Sequence, residues 1–393
     1  MVRTGSLFNQ ILAQFPRDTF ARLVEKRRAE RGCKGFSCWS QLVAMLFCHL
    51  GRAESLREIC QGLASFSGKL NHLGVDRAPS RSTLSYANRQ RPAALYEDLF
   101  YAALERFRTR QMLGGPRRRP FRFKSRLLSL DSTTISLCLS LFPWSDYRHA
   151  KGGVKAHVLL DHADLLPDFV QITDARTADT LVARKLRLQQ GSIVVMDCAY
   201  CDSTLFEIFH GQGVYFVTRL HPNIRYEVLK DLPIPQRHAH LQKVQEIRLI
   251  GTRSQKFTPP LRYVEVWDAR RKQTLSIITN HLRLSAATIA EVYRERWQIE
   301  IFFKTLKQQL RIKTFVGTSE NALRIQLWTA LIALLILRWL HHLSSADWSI
   351  STLAAVLRFN LLNYRELNDW LKNPFADPPP TPEQLYLSWT ATP

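Results

Sequence analysis

Two aspartates stand where a carboxylate is costly unless it is paired or bound to a metal ion. Asp131 lies inside an apolar, strand-like stretch after three leucines, and Asp197 directly follows the short apolar run IVVM. Burial of a lone carboxylate is strongly unfavourable, and the carboxyl ends of strands are where open α/β sheets build their sites. A helix cap or a loop hydrogen bond explains one such aspartate equally well, whereas two in the same fold favour a functional site.

A third acidic residue lies in a segment that is predicted to form one helix over residues 291–310. At about 100° per residue, one narrow face of this helix carries Tyr293, Arg296, Glu300, Lys304 and Lys307. The side chains predicted to pack away from that face are Trp297, Ile301 and Leu306.

A single carboxylate among cations and a tyrosine is unusual for a purely solvated helix face. We interpret Glu300 as a metal ligand, Arg296 and Lys307 as phosphate ligands, and Tyr293 as a hydrogen-bond donor. The alternative is a solvated face that an Arg296–Glu300 pair stabilises at the i,i+4 spacing.

These residues together resemble a known signature. The spacing Tyr293-x2-Arg296-x3-Glu300-x6-Lys307 is similar to the Y-R-E-K signature of DDE transposases in the insertion-sequence-four family. The segments LDSTTISL and VVMDCAYCD, which hold the two aspartates, resemble the first and second acidic motifs of that family. The resemblance covers essentially the whole chain. It differs at Cys198, where relatives often carry arginine, and this difference bears on a phosphate contact rather than on the metal site.

The resemblance implies a ribonuclease H-like catalytic core that a β-rich insertion interrupts between Asp197 and Glu300. It implies that Asp131, Asp197 and Glu300 hold two Mg²⁺ ions about 3.5–4 Å apart, with Mn²⁺ able to substitute. It further implies cut-and-paste transposition of an insertion sequence through nicking, a DNA hairpin and strand transfer, by a homodimer on DNA. Two alternatives remain: an inactive or domesticated DNA-binding relative that acts as a regulator, and a nuclease that never joins ends.

The charge of the chain indicates a polyanionic partner. Lys and Arg number 55 against 33 Asp and Glu, which gives a net charge of +22 and a pI near 10.1. Double-stranded DNA is the leading candidate because phosphate contacts supply most sequence-independent affinity. A membrane surface and a generically basic solvated surface are the alternatives.

The cysteines and the apolar segments indicate a cytoplasmic protein. The seven cysteines are odd in number and scattered, which argues for a reducing compartment and against a disulfide framework. Cys198-x-x-Cys201 resembles half of a redox or zinc motif, but no second pair stands at zinc-ligand spacing. The N-terminus lacks a signal-peptide pattern. The apolar run 328–337 is about half the length of a membrane span, so we expect a buried helix there.

Residues 1–120 are predicted to form a helical, basic, DNA-binding region. Ser55 and Glu58 fit a capping box, and Ser80 or Ser82 is expected to cap the following helix. This pair of helices resembles a helix-turn-helix, although an ordinary helical bundle explains the pattern equally well. Residues 106–126 are predicted to be a basic linker in which DNA is contacted by Arg117, Arg118 and Arg119.

The remainder of the chain is predicted to be a mixed α/β fold. The first part of the core spans 121–221, with strands near 126–139, 154–161, 166–173, 192–196 and 214–218 and helices at 180–190 and 203–210. A β-rich insertion spans 222–280, and the catalytic helix completes the core within 281–320. A helical region at 321–393 is assigned to possible dimerisation.

Several other residues carry weaker signals. Lys151, Lys155 and His157 follow the first acidic motif and are candidates to reach DNA, although a structural histidine on a strand is the simpler interpretation. Trp267, in the insertion, is our candidate to stack on a flipped base; packing within the insertion is the alternative. Ser132 and its two threonine neighbours lack the G-x-S-x-G pattern of a hydrolase.

Overall fold

The architecture was obtained as a computed structural model. The residues that it describes are 5–33, 35–66, 68–110, 112–113, 121–137, 152–234, 240–250, 257–269, 272–309, 316–346 and 348–375. By its internal contacts the chain divides into two compact units. A helical unit comprises residues 1–113 and 306–393, and a sheet unit comprises residues 114–305.

Helices and strands segregate along the chain, with helices at both ends and strands in the middle. The strands are β1 (Leu127–Leu137), β2 (Gly152–Asp161), β3 (Leu166–Asp174), β4 (Ile193–Met196), β5 (Tyr215–Arg219), β6 (Arg225–Asp231), β7 (Leu241–Ile250), β8 (Leu261–Asp268) and β9 (Gln273–Thr279). The helices are α1 (Leu7–Leu12), α2 (Arg17–Lys26), α3 (Cys38–Gly51), α4 (Leu56–Ala64), α5 (Arg81–Gln90), α6 (Ala94–Thr109), α7 (Asp179–Ala183), α8 (Ser203–Gly211), α9 (Ala286–Glu295), α10 (Trp297–Gln309), α11 (Glu320–Leu343), α12 (Ile350–Asn360) and α13 (Leu367–Lys372).

The helical unit is organised around α11, whose apolar side chains are almost all buried. Helices α3, α5, α6 and α12 pack against it. Within the described part of the chain, α11 alone is long and apolar enough to cross a membrane, and 89% of its apolar window is buried inside the protein. The prediction of a buried helix over the run 328–337 is therefore confirmed, and the helix extends well beyond the run.

Polar side chains cap the helices of this unit where the sequence predicts. Ser55 accepts a hydrogen bond from the backbone N–H of Glu58 at the start of α4. The Glu58 carboxylate in turn accepts from the backbone N–H of Glu54, so two of the amide groups at this helix start are satisfied. Ser80, rather than Ser82, caps α5 by accepting from the backbone N–H of Thr83.

The sheet unit contains one nine-stranded mixed sheet in the order β3-β2-β1-β4-β5-β9-β8-β7-β6. Strands β1, β4 and β5 pair in parallel, and the remaining pairs are antiparallel. The strands of residues 222–280 join the sheet where β9 pairs with β5. They therefore extend the core sheet instead of forming a separate small sheet.

Both faces of the sheet are covered around β1 and β4, where successive side chains of each strand point alternately into two cores. On one face Leu127 of β1 and Val195 of β4 pack with the apolar side of α9. On the other face Leu128 and Met196 pack with α8 and the residues around α7. Odd-numbered residues of both strands therefore point toward α9, and even-numbered residues point away from it.

Two predicted boundaries differ from the structure. The helix expected over 180–190 is only the five-residue α7, because the chain turns so that Leu186 enters the core and Gly191, at φ +79°, leads into β4. The linker expected from residue 106 begins later, because α6 continues through Thr109. Its buried residues Phe100, Ala103 and Phe107 recur at helical spacing.

Candidate active site

Parallel pairing of β1 with β4 brings the two aspartates to neighbouring positions. Leu130 pairs with Met196, and Asp131 and Asp197 are the next residues along the two strands. Both are odd-numbered, so the alternation of the strands directs both toward the face that α9 covers. Residues that are far apart in sequence thus converge through strand register.

Asp131 lies within β1 and is mostly buried, with 21% of its side chain exposed. Its Oδ1 accepts a hydrogen bond of 2.8 Å from the backbone N–H of Ser132. Burial raises the pKa of Asp131 to about 6, opposed by that N–H and by Arg296 and reinforced by the negative charges of Asp197 and Glu300. The other two carboxylates are therefore close enough to influence its ionisation.

Asp197 directly follows β4 and caps the start of a short 3-10 turn, Cys198–Tyr200. Its Oδ1 accepts a hydrogen bond of 2.6 Å from the backbone N–H of Cys198. Its backbone carbonyl accepts a 3.0 Å bond from the hydroxyl of Thr218, which lies on the adjacent strand β5. The alternative interpretation of this aspartate as a helix cap is thus correct for its Oδ1, and the Cys198 thiol also hydrogen-bonds to its side chain.

The predicted single helix over 291–310 is two helices that meet at Arg296. The backbone tightens there, because Arg296 N donates to the Tyr293 carbonyl and Ile299 N donates to the Arg296 carbonyl, each over three residues. Tyr293 therefore belongs to α9, whereas Glu300, Lys304 and Lys307 belong to α10. The prediction of one uninterrupted helix is therefore wrong.

Arg296 occupies the junction with its guanidinium among acidic groups. Its Nη2 donates to Glu300 Oε1 at 2.5 Å, and its Nη1 lies 3.9 Å from Asp131 Oδ2. The guanidinium also lies 5.8 Å from the centre of the Tyr293 ring. The side chain is only 11% exposed, so this is a partly desolvated ion pair rather than the solvated pair considered from the sequence.

The other residues of the junction divide into buried and exposed groups. Tyr293 is 8% exposed and packs in the core beneath α9, and burial raises the pKa of its hydroxyl. Leu306 is buried as predicted, but Trp297 and Ile301 are 50% and 41% exposed. Of the three side chains expected to pack on the side away from the polar face, only Leu306 is therefore buried. Lys304 is exposed and Lys307 partly exposed.

The chemistry of this set of side chains suits a divalent cation. Carboxylate oxygens are the hard ligands that Mg²⁺ prefers, and three carboxylates near one guanidinium leave negative charge to be balanced. Within the described ranges no group of three His, Cys, Asp or Glu side chains is already arranged around a common metal position. The donor types fit the ion, and Arg296 holds two of the donors.

Comparison with known proteins identifies the family. The family model for the transposase DDE domain matches residues 122–336, which include all three carboxylates. The chain belongs to the DDE transposases. The chain is also 31% identical, over 66% of its length and 71% of the relative, to transposase y4zB of Sinorhizobium fredii.

Two further relatives are named for insertion sequences. A transposase for insertion sequence element IS5377 of Geobacillus stearothermophilus is 33% identical over 62% of this chain and 64% of the relative. A transposase for element IS4SA of Synechocystis is 24% identical over 66% of this chain and 71% of the relative. A second family model, described as a domain of unknown function (DUF4372), matches residues 3–76. The protein is therefore an insertion-sequence transposase, a class of enzyme that acts on DNA.

The structure describes only some of the weaker candidate residues of this transposase. Arg117, Arg118, Arg119 and Lys151 lie outside the described residues. Lys155 Nζ lies 3.2 Å from Asp179, and His157, 1% exposed, lies 3.4 Å from the same carboxylate. Burial lowers the pKa of His157 to about 4, so the structure favours the interpretation as a structural histidine.

The structure also describes Trp267 of the insertion and the pair Cys198 and Cys201. Trp267 lies near the β8–β9 turn and is 43% exposed, so its ring is accessible. Burial raises the pKa of the Cys198 thiol, and raises that of Cys201 to about 11. Thiols in this state are protonated near neutral pH and are poor metal ligands or nucleophiles.

One cluster near the carboxylates was missed from the sequence. Ser129, His162 and Glu295 form a contact chain between β1 and the end of α9. The sequence contained one indication of this cluster. Ser129 lies two residues before Asp131, so both side chains point to the same face of the strand. The partner histidine could not be found, because it depends on where the chain leaves β2.

Proposed function

We propose that this transposase belongs to the insertion-sequence-four family and moves its element by cut and paste after binding terminal inverted repeats. The observation that carries the proposal is the register of β1 and β4, which brings Asp131 and Asp197 side by side on the face that the Glu300 helix junction covers. The electrostatic influence of Asp197 and Glu300 on Asp131 supports a joint role of the three carboxylates in one site.

Asp131, Asp197 and Glu300 would hold the metal ions, which we propose to be Mg²⁺, with Mn²⁺ able to substitute. When bound, such ions activate water and stabilise the departing 3′ oxygen. Arg296 orients Asp131 and Glu300 through its ion contacts. Tyr293 supports the Arg296 guanidinium from below through its ring.

The proposed reaction is a series of in-line displacements at phosphorus. Water first attacks the phosphodiester at the element end and releases a 3′-OH. That 3′-OH attacks the opposite strand and forms a hairpin, a second water opens the hairpin, and the 3′-OH finally attacks target DNA. Each step exchanges one P–O bond for another, so the protein needs neither a covalent nucleophile nor ATP. The sequence accordingly contains no G-x-x-x-x-G-K-[ST] loop.

DNA contacts would come from several surfaces. We propose phosphate contacts from Arg296, Lys304 and Lys307, from the basic run Arg117, Arg118 and Arg119, and a hydrogen bond from Tyr293. Trp267 would stack on a base that is flipped out during hairpin formation, which its half-exposed ring allows. We also propose that residues 321–393 contribute to a homodimer on DNA and that the protein acts in the cytoplasm.

The helical region before residue 121 would recognise the element end through α5. This helix packs against α4 and α11 and leaves an outer face without acidic residues, formed by Arg81, Ser82, Ser85, Tyr86 and Arg89. Tyr86 is 68% exposed. Arg57 and Arg81 also line a cavity of about 360 Å³ at the starts of α4 and α5. Basic, hydroxyl and aromatic side chains on one exposed helix face suit DNA phosphates and base edges.

Gel-shift assays would test the α5 surface. A variant with Arg81→Ala, Tyr86→Ala and Arg89→Ala should lose selective binding of element-end DNA over scrambled DNA. The matched control is Arg358→Ala with Phe359→Ala on α12, where an arginine lies over a 75% exposed ring of the same unit. Equal loss in both variants, or none in either, would contradict the role of α5.

The central experiment is a cleavage assay on DNA that carries the element end. With Mg²⁺ the full chain should produce nicked ends, then hairpins, then strand-transfer products, and without divalent metal it should produce none. Binding without any cleavage would indicate a non-catalytic relative that acts as a regulator. Nicking without hairpins or joined products would indicate a nuclease.

A further inference from the structure

A chain of side-chain contacts, a hydrogen bond between Ser129 and His162 followed by a 3.6 Å contact between His162 and Glu295, links the strand of Asp131 to the helix junction of Arg296 and Glu300. We propose that His162, together with Ser129 and Glu295, is a positioning residue that holds this junction in register against β1 during the reaction. This inference rests on the proposed function, because its effect is defined by the metal site. It assigns a role to three residues outside the carboxylate and Y-R-E-K pattern.

Ser129 is the anchor of the chain within the sheet. It lies in β1 between β2 and β4, where it pairs with Leu160 and Val195, and it is completely buried. It points to the same face as Asp131, two residues further along the strand. Its Oγ lies 2.7 Å from His162 Nε2. Because β1 is paired with a strand on each side, Ser129 is rigidly held and gives His162 a fixed partner.

His162 follows directly after β2 and is itself fixed by two contacts. Its backbone N–H donates to the Leu127 carbonyl at 3.1 Å, and its imidazole is 3% exposed. If the Ser129 hydroxyl donates to Nε2, the neutral imidazole carries its proton on Nδ1. That nitrogen lies 3.6 Å from Glu295 Oε2 and has no hydrogen-bond partner among the described residues. The ring is thus oriented by the sheet and directed at the helix.

Glu295 is the last residue of α9, directly before the turn at Arg296. A contact at Glu295 therefore lies directly beside the break between α9 and α10. Arg296 makes the other link between this junction and β1, through Asp131. The two links differ in kind, because the Arg296 link uses the reactive carboxylates and the His162 link does not.

The difference matters once cations neutralise the carboxylates. Asp131 and Glu300 would divide their charge between Arg296 and any bound divalent ion, so the Arg296 contact would weaken in the loaded site. The Ser129–His162–Glu295 chain is independent of that competition and can keep the start of α10 in place. Partners that orient metal ligands without touching the metal commonly change affinity or activity by about 10–100-fold.

The same three residue types occur in hydrolases, but the arrangement here excludes that chemistry. Ser129 has no exposed surface and lies inside a sheet that is covered on both faces. No substrate carbonyl can approach its Oγ, so the serine acts as a hydrogen-bond donor and not as a nucleophile.

Two variants test the proposal, Glu295→Gln at the partly exposed end and His162→Gln in the buried ring. Glu295 is 26% exposed, so its replacement leaves the core intact. We expect each variant to lower nicking turnover at saturating DNA by on the order of 10-fold and to raise the half-saturating Mn²⁺ concentration similarly. The DNA concentration for half-maximal rate should stay unchanged. Mn²⁺ binding to DNA-free protein, followed by electron paramagnetic resonance, should weaken by the same factor.

His49→Gln supplies the matched control, because His49 is a buried histidine whose Nε2 lies 3.0 Å from the Thr329 hydroxyl in the helical unit. It should lower the melting temperature without changing Mn²⁺ dependence. The proposal is overturned if the two test variants change only the melting temperature, as the control does, or if Mn²⁺ binding keeps its wild-type affinity. Failure of the wild-type protein to nick would instead overturn the proposed function, while the DNA-free Mn²⁺ measurement still reports on His162.

Discussion

Two arginine–carboxylate clusters in the sheet unit contain similar residue types but differ in how well their charges are balanced. Arg126, just before β1, contacts Asp161 at 2.7 Å and Asp168 at 2.6 Å, so each carboxylate has a close cationic partner. Arg296 contacts Glu300 at 2.5 Å but lies 3.9 Å from Asp131. Asp197 adds a third carboxylate to the second cluster, as its effect on Asp131 shows.

The Arg126 cluster is a structural set of ion pairs, whereas the Arg296 cluster has more negative than positive charge. The Arg126 cluster satisfies its members and can stabilise the edge of β1, β2 and β3. The Arg296 cluster keeps more negative charge than its one arginine can balance, in a place where burial already raises the pKa of Asp131 to about 6. This imbalance is consistent with the proposal that external cations complete the second cluster.

Removal of the surplus carboxylates should have the largest effect. Asp131→Ala, Asp197→Ala and Glu300→Ala should each lower cleavage by more than about 10³-fold, because lost metal contacts forfeit several kcal/mol of charge stabilisation. Binding of element-end DNA should remain within a few-fold of wild type in gel shifts. Cleavage that persists in Glu300→Ala would remove that residue from the site.

The structural cluster should respond to mutation in stability instead of chemistry. Arg126→Ala leaves Asp161, whose side chain is 8% exposed, without its cation. We expect a loss of about 1–3 kcal/mol in the free energy of unfolding, measured by urea denaturation. Arg248→Ala breaks the exposed pair with Glu227 on the same sheet and should cost less than about 1 kcal/mol. Equal losses would contradict the distinction between the clusters.

Neutralisation of Asp131 should stabilise the fold while it abolishes activity. The folded-state pKa of about 6 lies above the ordinary value of 3.8, so protonation favours folding. That contribution is complete below pH 3.8 and is lost as the pH rises through about 6. In metal-free buffer at pH 7.5, Asp131→Asn should therefore melt roughly 2–6 °C higher than wild type. The gap should shrink toward pH 4, and a constant gap would exclude this titration as its cause.

The smallest effect is expected at the exposed cations of α10. Lys304→Ala and Lys307→Ala should each weaken DNA binding uniformly across sequences. Each should reduce the slope of log K against log salt by about 1, as expected for one lost phosphate contact. Lys372→Ala, an exposed lysine of α13, is the control. A slope unchanged in both α10 variants would place these lysines outside the DNA path.

Local pattern was sufficient for much of the fold and for the acidic residues themselves. Alternating or fully apolar runs predicted β1 to β5 within a few residues, and serine caps marked the starts of α4 and α5. The family signature selected Asp131, Asp197 and Glu300, and the domain match agrees in placing all three within its range. Their roles as metal ligands remain predictions.

The helix junction shows where local pattern was insufficient. Residues 291–310 have uninterrupted helical propensity, with no glycine or proline to indicate a break. The turn at Arg296 coincides with a guanidinium that reaches Asp131 of the sheet as well as Glu300 of its own helix. Such a contact cannot be read from periodicity, so the division of the helix at Arg296 was not predicted.

The amino-acid sequence by itself determined the charge of the protein, the alternation of its strands and the identity of its acidic residues. The tertiary structure alone decided that β1 lies beside β4, that β9 joins the insertion to β5, and that His162 meets Ser129 and Glu295. The physical reason is the separation along the chain over which each effect acts. Strand alternation and helix periodicity are properties of neighbouring residues, whereas the choice of strand partner depends on burial summed over the whole sheet.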